Sequence, residues 1–316
     1  MAGTRGVGLV ARAAWVPVSA VLAGSLTWLA VTLLPGDAAV RILGPNATPE
    51  RLAELRARLG LDRPVAEQLS DWLVGLLTGD LGTSALTGEP ITGLVLSRLA
   101  DSALLAGIAA TIALVVGIGL GTLVGRVRRG RAWAYATLIN ASAVPDFVIG
   151  AVAVGLLALS WRLVPALSLV PPGQTAVSRP EILVIPVLAL AIPITIWIAR
   201  HPAAAVARQA DAPHVRAARL LGVSEASVVL RHLLPAALAP LVQLFGWMVA
   251  VLVGSTVIVE QLVEYPGIGS LLTEAVGNRD VTVATAIVTV LAAVVAVAVF
   301  VCDRLAVRID PRLAAS

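Results

Sequence analysis

The residues best placed to do chemistry in this 316-residue chain lie in one polar stretch, Arg216-Ala217-Ala218-Arg219-Leu220-Leu221-Gly222, followed by Arg231-His232-Leu233-Leu234-Pro235. The chemistry they suit is docking, not catalysis. Val206 to Leu221 reads as a helix interrupted near Pro213. Gly222-Val223-Ser224-Glu225 then reads as a turn, with Ser224 as the N-cap of a second helix through Val228 to Leu233. Ala217 and Ala218 are small enough to let a partner's groove approach, and Gly222 permits a sharp backbone turn. Arg216 and Arg219 can pair with acids or with backbone carbonyls. Set between two long apolar runs, such a segment forms a knob at a membrane surface. The plainer alternative is a basic loop anchored by lipid phosphates.

Two acidic residues stand out for their apolar surroundings. Asp146 follows Pro145 inside a long apolar run, where an ionisable group must face a cavity, pair, or lie near a water-filled path. Lining a path and making a helix–helix hydrogen bond are both open to it. Glu260 is shallower, and suits either the lining of an exit or the positioning of the following Pro266-Gly267 loop. His201, His214 and His232 share the polar segment without a cluster of further ligands, so no metal site is expected. The phosphate-binding loop G-x-x-x-x-G-K-[ST] needs a lysine, and all 23 basic residues here are arginine. No H-E-x-x-H, G-x-S-x-G or paired-carboxylate motif occurs in a loop able to support catalysis. The chain is not expected to hydrolyse ATP.

What must position these residues is a set of membrane spans. Hydrophobic residues make up 58% of the chain and charged residues 13%, with a mean hydropathy of +0.93, too apolar for an ordinary globular domain. A bilayer core of about 30 Å needs roughly 20 apolar residues at 1.5 Å rise. Six stretches qualify: Ala13 to Leu34, Ser102 to Val124, Ala132 to Ser160, Ile182 to Ala199, Ala236 to Val259 and Val281 to Val301. Pro145 predicts a kink or tilt in the third. With a cytoplasmic N-terminus, fourteen of the 23 arginines fall on the inner side, and the cluster Arg126, Arg128, Arg129 and Arg131 votes most strongly. Both termini are thereby placed in the cytoplasm, with the Arg216 region. The first span is longer than the apolar core of a signal peptide, which disfavours cleavage. The single Cys302 excludes internal disulfides, and the high isoelectric point follows from the inner loops, with no basic stripe suited to nucleic acid.

Between the first two spans, Pro35 to Asp101 is the one sizeable outer segment. Thr48-Pro49-Glu50 is a helix start, Leu52, Leu55 and Leu59 recur at helical spacing, and Gly60 ends the run. A second amphipathic helix is predicted from Pro64 to about Leu77, with Leu69, Trp72, Leu73 and Leu76 on one face. The pair can form a lid, or receive an external protein. On the second span, Gly117, Gly121 and Gly125 form a ladder that permits close helix approach.

The Arg216 to Gly222 segment resembles the EAA loop of ABC importer permeases, in which two small residues and a later Gly form a coupling helix seated in the ATPase. The resemblance extends along the chain to the first-permease branch of the dipeptide/oligopeptide and nickel importers. Leu33-Leu34-Pro35-Gly36-Asp37, Ala47-Thr48-Pro49-Glu50, Leu59-Gly60-Leu61-Asp62-Arg63-Pro64 and Gly79-Asp80-Leu81-Gly82-Thr83-Ser84 are similar to it. So are Pro90-Ile91, Arg98-Leu99, Glu260, Tyr265-Pro266-Gly267-Ile268-Gly269, Arg279-Asp280, Asp303 and Asp310-Pro311-Arg312. Arg216 replaces the Glu of the EAA motif, as is usual for peptide-type permeases. Ala236 stands where Asn is common, and Val263 where an aromatic is.

The resemblance implies an all-α integral membrane protein of type I importer fold: six transmembrane helices, an external helical loop and a cytoplasmic coupling helix. Residues 1–34 would form the N-terminus and first span, 35–101 the outer loop, and 102–316 the permease core, with the coupling loop at about 200–235. It assigns ATPase coupling to Arg216, Ala217, Ala218, Arg219, Leu221, Gly222, Ser224 and Glu225, and the path or gate to Asp146 and Glu260. The implied partners are a second homologous permease in a heterodimer, two cytoplasmic ATPases, an extracytoplasmic substrate-binding protein and membrane lipid. ATP and magnesium would sit on the ATPases, with no cofactor on this chain. Location would be a bacterial inner membrane, and cargo a peptide or a solute such as a nickel chelate. The alternative from another class is a stand-alone channel or secondary transporter, against which stand the few intramembrane charges and the lack of paired broken helices.

Overall fold

The computed structural model describes residues 3–127, 129–171 and 174–309; Arg128 of the inner cluster and the Asp310-Pro311-Arg312 motif lie outside them. Its helices are α1 (Gly3–Thr32), α2 (Ala38–Leu43), α3 (Pro49–Leu59), α4 (Val65–Thr78), α5 (Ile91–Arg126), α6 (Arg131–Ala141) and α7 (Asp146–Ala153). There follow α8 (Val184–Gln209), α9 (Pro213–Leu220), α10 (Glu225–Val228), α11 (Pro235–Val263), α12 (Ile268–Gly277) and α13 (Val281–Ile309). Among the described residues the extended pairing is a single bridge, Thr83 to Pro90. Among the described residues five helices are long and apolar enough to cross a bilayer, or six when one bent pair is counted as a single span.

That bent pair is the expected third span, and it is broken rather than kinked. α6 ends at Ala141, α7 begins at Asp146, and the two are inclined by 82°. Pro145 has no N–H to continue the ladder and pushes its predecessor out of the helical region. The last turn of α6 is tied off by the Ser142 hydroxyl, which donates to the Ile139 carbonyl at 2.8 Å. α7 then restarts with an acid in its first turn, where the unpaired N–H groups favour negative charge. α7 continues as a π-helical turn over Val154–Ser160.

The chain divides into two compact units, Met1–Ser102 with Pro266–Val297, and Ala103–Tyr265 with Ala298–Ser316. In the first unit the predicted caps are in place. The Thr48 hydroxyl accepts from the Arg51 N–H, Pro49 opens α3, and Gly60 ends it in the left-handed region at φ +68°. Trp72 of α4 is buried, and with Thr289 of α13 it fills the space that a Cβ on Gly24 of α1 would need. The expected span from Ser102 starts earlier: α5 begins at Ile91, so its first turns lie in the segment drawn as outer loop. Ile91 and Val95 are almost fully buried, and that contact extends the helix beyond what bilayer thickness demands.

Polar ties explain several motifs of this unit. The buried Ser84 hydroxyl donates to Asp280 Oδ2 at 2.6 Å, while Asp280 Oδ1 caps α13 by accepting from the Val283 N–H at 3.2 Å. Arg98 donates to the Pro266 carbonyl at 2.9 Å, and Ile268 N–H to the Ser102 hydroxyl at 2.8 Å. Replacing Asp280 with Ala removes a charged acceptor and a helix cap together. It is expected to cost about 2–3 kcal/mol, read as a lower melting temperature of the detergent-solubilised protein, with Asp280→Asn milder.

The second unit is organised around α8. Two thirds (67%) of its most apolar window is buried, against 22–33% for the other four span helices. Ile185, Leu190 and Ile198 of α8 meet Leu105 and Ala109 of α5 and Met248 and Val259 of α11 in one apolar core. The glycine ladder sets the α5–α8 approach as its spacing predicts. A Cβ on Gly125 would lie 2.7 Å from the Ala203 carbonyl oxygen, and one on Gly117 3.0 Å from that of Thr195. At Gly121 the Ala199 carbonyl oxygen already occupies the place of the missing Cβ.

Candidate functional site

α8 stops at Gln209 because Ala212, preceding Pro213, takes an extended conformation (φ −61°, ψ 145°) that prolines favour in their neighbours. Pro213 then opens α9, where the interruption was expected. Val215 and Ala218 point inward onto Val206, Val228, Val229 and Leu233, a small apolar core of the knob's own. Gly222 closes α9 at φ +78°, and Val223 N–H reaches back to the Ala218 carbonyl at 3.1 Å. This is a Schellman-type ending that a side chain would strain. Ser224 is the predicted N-cap, accepting from the Ser227 N–H at 3.4 Å.

An ion-pair hub fixes the two short helices to each other. Arg219 Nε donates to Glu225 Oε1 at 2.7 Å, and its Nη1 to the Ala210 carbonyl at 2.9 Å. Arg126, the last residue of α5, reaches Glu225 Oε2 at 3.3 Å. The same contacts tie α9 to the end of α5 and to the segment that follows α8.

Two expectations therefore turn inward. Ala218 is buried, so its small size serves the knob's own core, whereas Ala217 faces out. Arg219 is committed to Glu225 and Ala210, which leaves Arg216 as the basic group on the outer face, 3.9 Å from Asp211. On the outer face, Leu221 of the predicted coupling set is joined by Leu220. Leu220 and Leu221 are 88% and 83% exposed, with Gly222 beside them. Leucines this bare, projecting from a polar segment, mark a surface made to be covered. Counting from the inward Val215 and Ala218 would have placed Leu220 on the opposite side.

The two acidic residues separate. Asp146 stands at the N-terminus of α7, where its Oδ1 accepts from the Phe147 N–H at 2.8 Å. It lines a cleft of about 240 Å³ with Ser142 and Pro145, Pro193 and Trp197 of α8, and Met248 of α11. The break at Pro145 thus puts the carboxylate at the wall of an open space. Glu260 is fully buried, and its own carbonyl accepts from the Tyr265 N–H at 2.9 Å as the chain leaves α11. That environment suits positioning of the following turn better than lining an exit.

Comparison with known proteins gives matches over nearly the whole chain. Residues 113–315 match the family described as the inner membrane component of binding-protein-dependent transport systems. Residues 8–106 match the N-terminal region of such membrane components. A Brucella abortus (strain 2308) protein, assigned by name to a peptide transport system permease, is 33% identical over 272 residues, covering 85% of this chain and 86% of its own. The oligopeptide transport system permease protein AppB of Bacillus subtilis (strain 168) is 26% identical over 293 residues, covering 91% and 93%.

Proposed function

We propose that this chain, which belongs to the binding-protein-dependent transport system inner membrane components, forms half of a peptide path driven from the knob around Gly222. It is the permease subunit of an ABC importer, a multi-pass inner membrane protein, and a transport subunit rather than an ATPase. A second, homologous permease supplies the other half of the path. One of two cytoplasmic ATPases seats the knob, holding the ATP and magnesium that this chain does not bind. An extracytoplasmic binding protein delivers the cargo, and both termini are cytoplasmic, as the arginine distribution favours. Peptide is preferred as cargo because the relatives above carry that word in their names.

The observation that carries this reading is the pair of bare leucines on a braced, two-helix knob. Arg216, Ala217, Leu221 and Gly222 belong to the docking face. Ala218, Arg219, Ser224 and Glu225 hold it in shape. Nucleotide-driven closure of the ATPases moves the knob, and α5 and α8 transmit that movement to the cleft at Asp146. The test is affinity purification of the tagged chain from native membranes. The unaltered chain should bring down a second permease and two ATPases. The double variant Leu220→Asp, Leu221→Asp should keep the permease and lose most of the ATPase, since apolar anchors at an interface centre are worth about 2 kcal/mol or more. Undiminished ATPase recovery would overturn the assignment of the knob, and a chain recovered alone that moves solute without ATP would point to a carrier.

A further inference from the structure

One face of α8 lines three cavities of the second unit. Pro193, Ile194 and Trp197 wall the cleft that holds Asp146. Arg200, His201, Ala204 and Arg208 wall the next cavity, of about 360 Å³, with Tyr135 and Pro240. Ala204, Arg208 and Tyr135 also wall a wider one of about 830 Å³. Steps of three and four residues return to the same side of a helix, so the three spaces succeed one another along one track. Its charge changes on the way, from the carboxylate of Asp146 to the guanidiniums of Arg200 and Arg208, with Asp211 also in the wall of the widest cavity.

The basic end is held in place. Arg200 Nε donates to the Trp197 carbonyl at 3.4 Å, and its guanidinium carbon lies 5.9 Å from the centre of the Trp197 ring. His201 meets the same ring edge-on at 5.5 Å between centroids. Its Nε2 is buried and has no hydrogen-bond partner, so the ring serves as packing against Trp197. The ion pairs of this region join Arg126 and Arg219 to Glu225, and Arg216 to Asp211. Among the described residues, neither Arg200 nor Arg208 has a carboxylate at ion-pair distance. A stacked guanidinium with no carboxylate of its own, standing in a cavity wall, suits a carboxylate ligand.

We propose that Arg200, with Arg208 further along the track, binds the C-terminal carboxylate of a transported peptide whose ammonium end faces Asp146. The proposal rests on the reading of this chain as a peptide permease. The six residues from Ile194 to Arg200 rise roughly 9 Å, a distance that two or three residues of extended peptide cover. The groove thereby selects a zwitterionic chain with both ends free.

The test uses the complete importer with its binding protein in proteoliposomes, and one short peptide offered with a free C-terminus or as its C-terminal amide. Arg200→Gln should lower uptake of the free peptide about tenfold, the worth of a charge-assisted hydrogen bond, and leave uptake of the amide nearly unchanged. Arg208→Gln, at an exposed position, should act in the same direction even if Arg200→Gln folds poorly, and Arg200→Lys should recover most of the loss. The binding protein's own preference is common to wild type and variant, so it drops out of the comparison. Equal loss for both peptides, or no loss for either, overturns the proposal. A loss seen only in vesicles of anionic lipid, and absent in phosphatidylcholine, overturns it in favour of a lipid headgroup. A wild-type complex that hydrolyses ATP and moves neither peptide overturns the peptide reading itself.

Discussion

A Gly222→Trp substitution is expected to leave the chain inserted and folded while lowering ATP-driven uptake by roughly thirtyfold or more. The local cost is modest. Gly222 sits at φ +78°, where an L-residue loses about 1–2 kcal/mol, and nothing lies within 4 Å of where its Cβ would stand. The indole therefore projects away from the knob's own core and onto the face that Leu220 and Leu221 present. Blocking a central contact of an interface is worth about 2 kcal/mol or more, which is roughly thirtyfold in an equilibrium. Gly222→Ala supplies the control: it meets the same backbone cost with little projection, and should retain most of the transport. Uptake into proteoliposomes, read beside the yield of inserted chain and the ATPase recovered with it, separates the outcomes. Wild-type uptake by the tryptophan variant would remove Gly222 from the docking face.

The knob also shows what a sequence can and cannot disclose. The Ser224 cap of the knob, like Thr48 and Gly60 around α3, was readable because caps act through neighbours three or four residues away. That Ala218 and Arg219 turn inward was not readable, because which way α9 faces depends on its packing against Val206 and Leu233, outside the helix itself. Glu225, read as part of the turn and of the coupling set, ties α9 to α5. Leu220 escaped notice for the same reason: exposure belongs to the fold, not to the residue type. In the third span Pro145 announced a disturbance, yet the 82° break depends on how Ser142 and Asp146 satisfy the freed backbone groups. The groove beyond it draws on α6, α8 and α11 together, so no window of sequence contains it.

The largest effect on the fold is expected at Gly121. Its Cα lies where α5 and α8 come closest, with the Ala199 carbonyl oxygen in the place of a Cβ. Leucine there must push the helices apart, along with the buried contacts that Leu105, Ala109 and Ala113 make with α8. Overpacking a tight site costs about 1–3 kcal/mol or more, and here the obstacle is backbone, which cannot change rotamer. Separating the helices adds the loss of several buried side chains, each worth about 1.5–3 kcal/mol. The sum rivals the whole stability of a typical domain, about 5–15 kcal/mol. Gly121→Leu should therefore abolish recovery of folded protein. Gly119 lies two residues away on the same helix, is exposed, and has nothing within 4 Å of its Cβ position. Gly119→Leu should leave the yield of monodisperse, detergent-purified protein near that of wild type. The comparison holds hydrophobicity and helix constant, so equal yields from the two variants would mean that the α5–α8 approach is not what the glycine ladder secures.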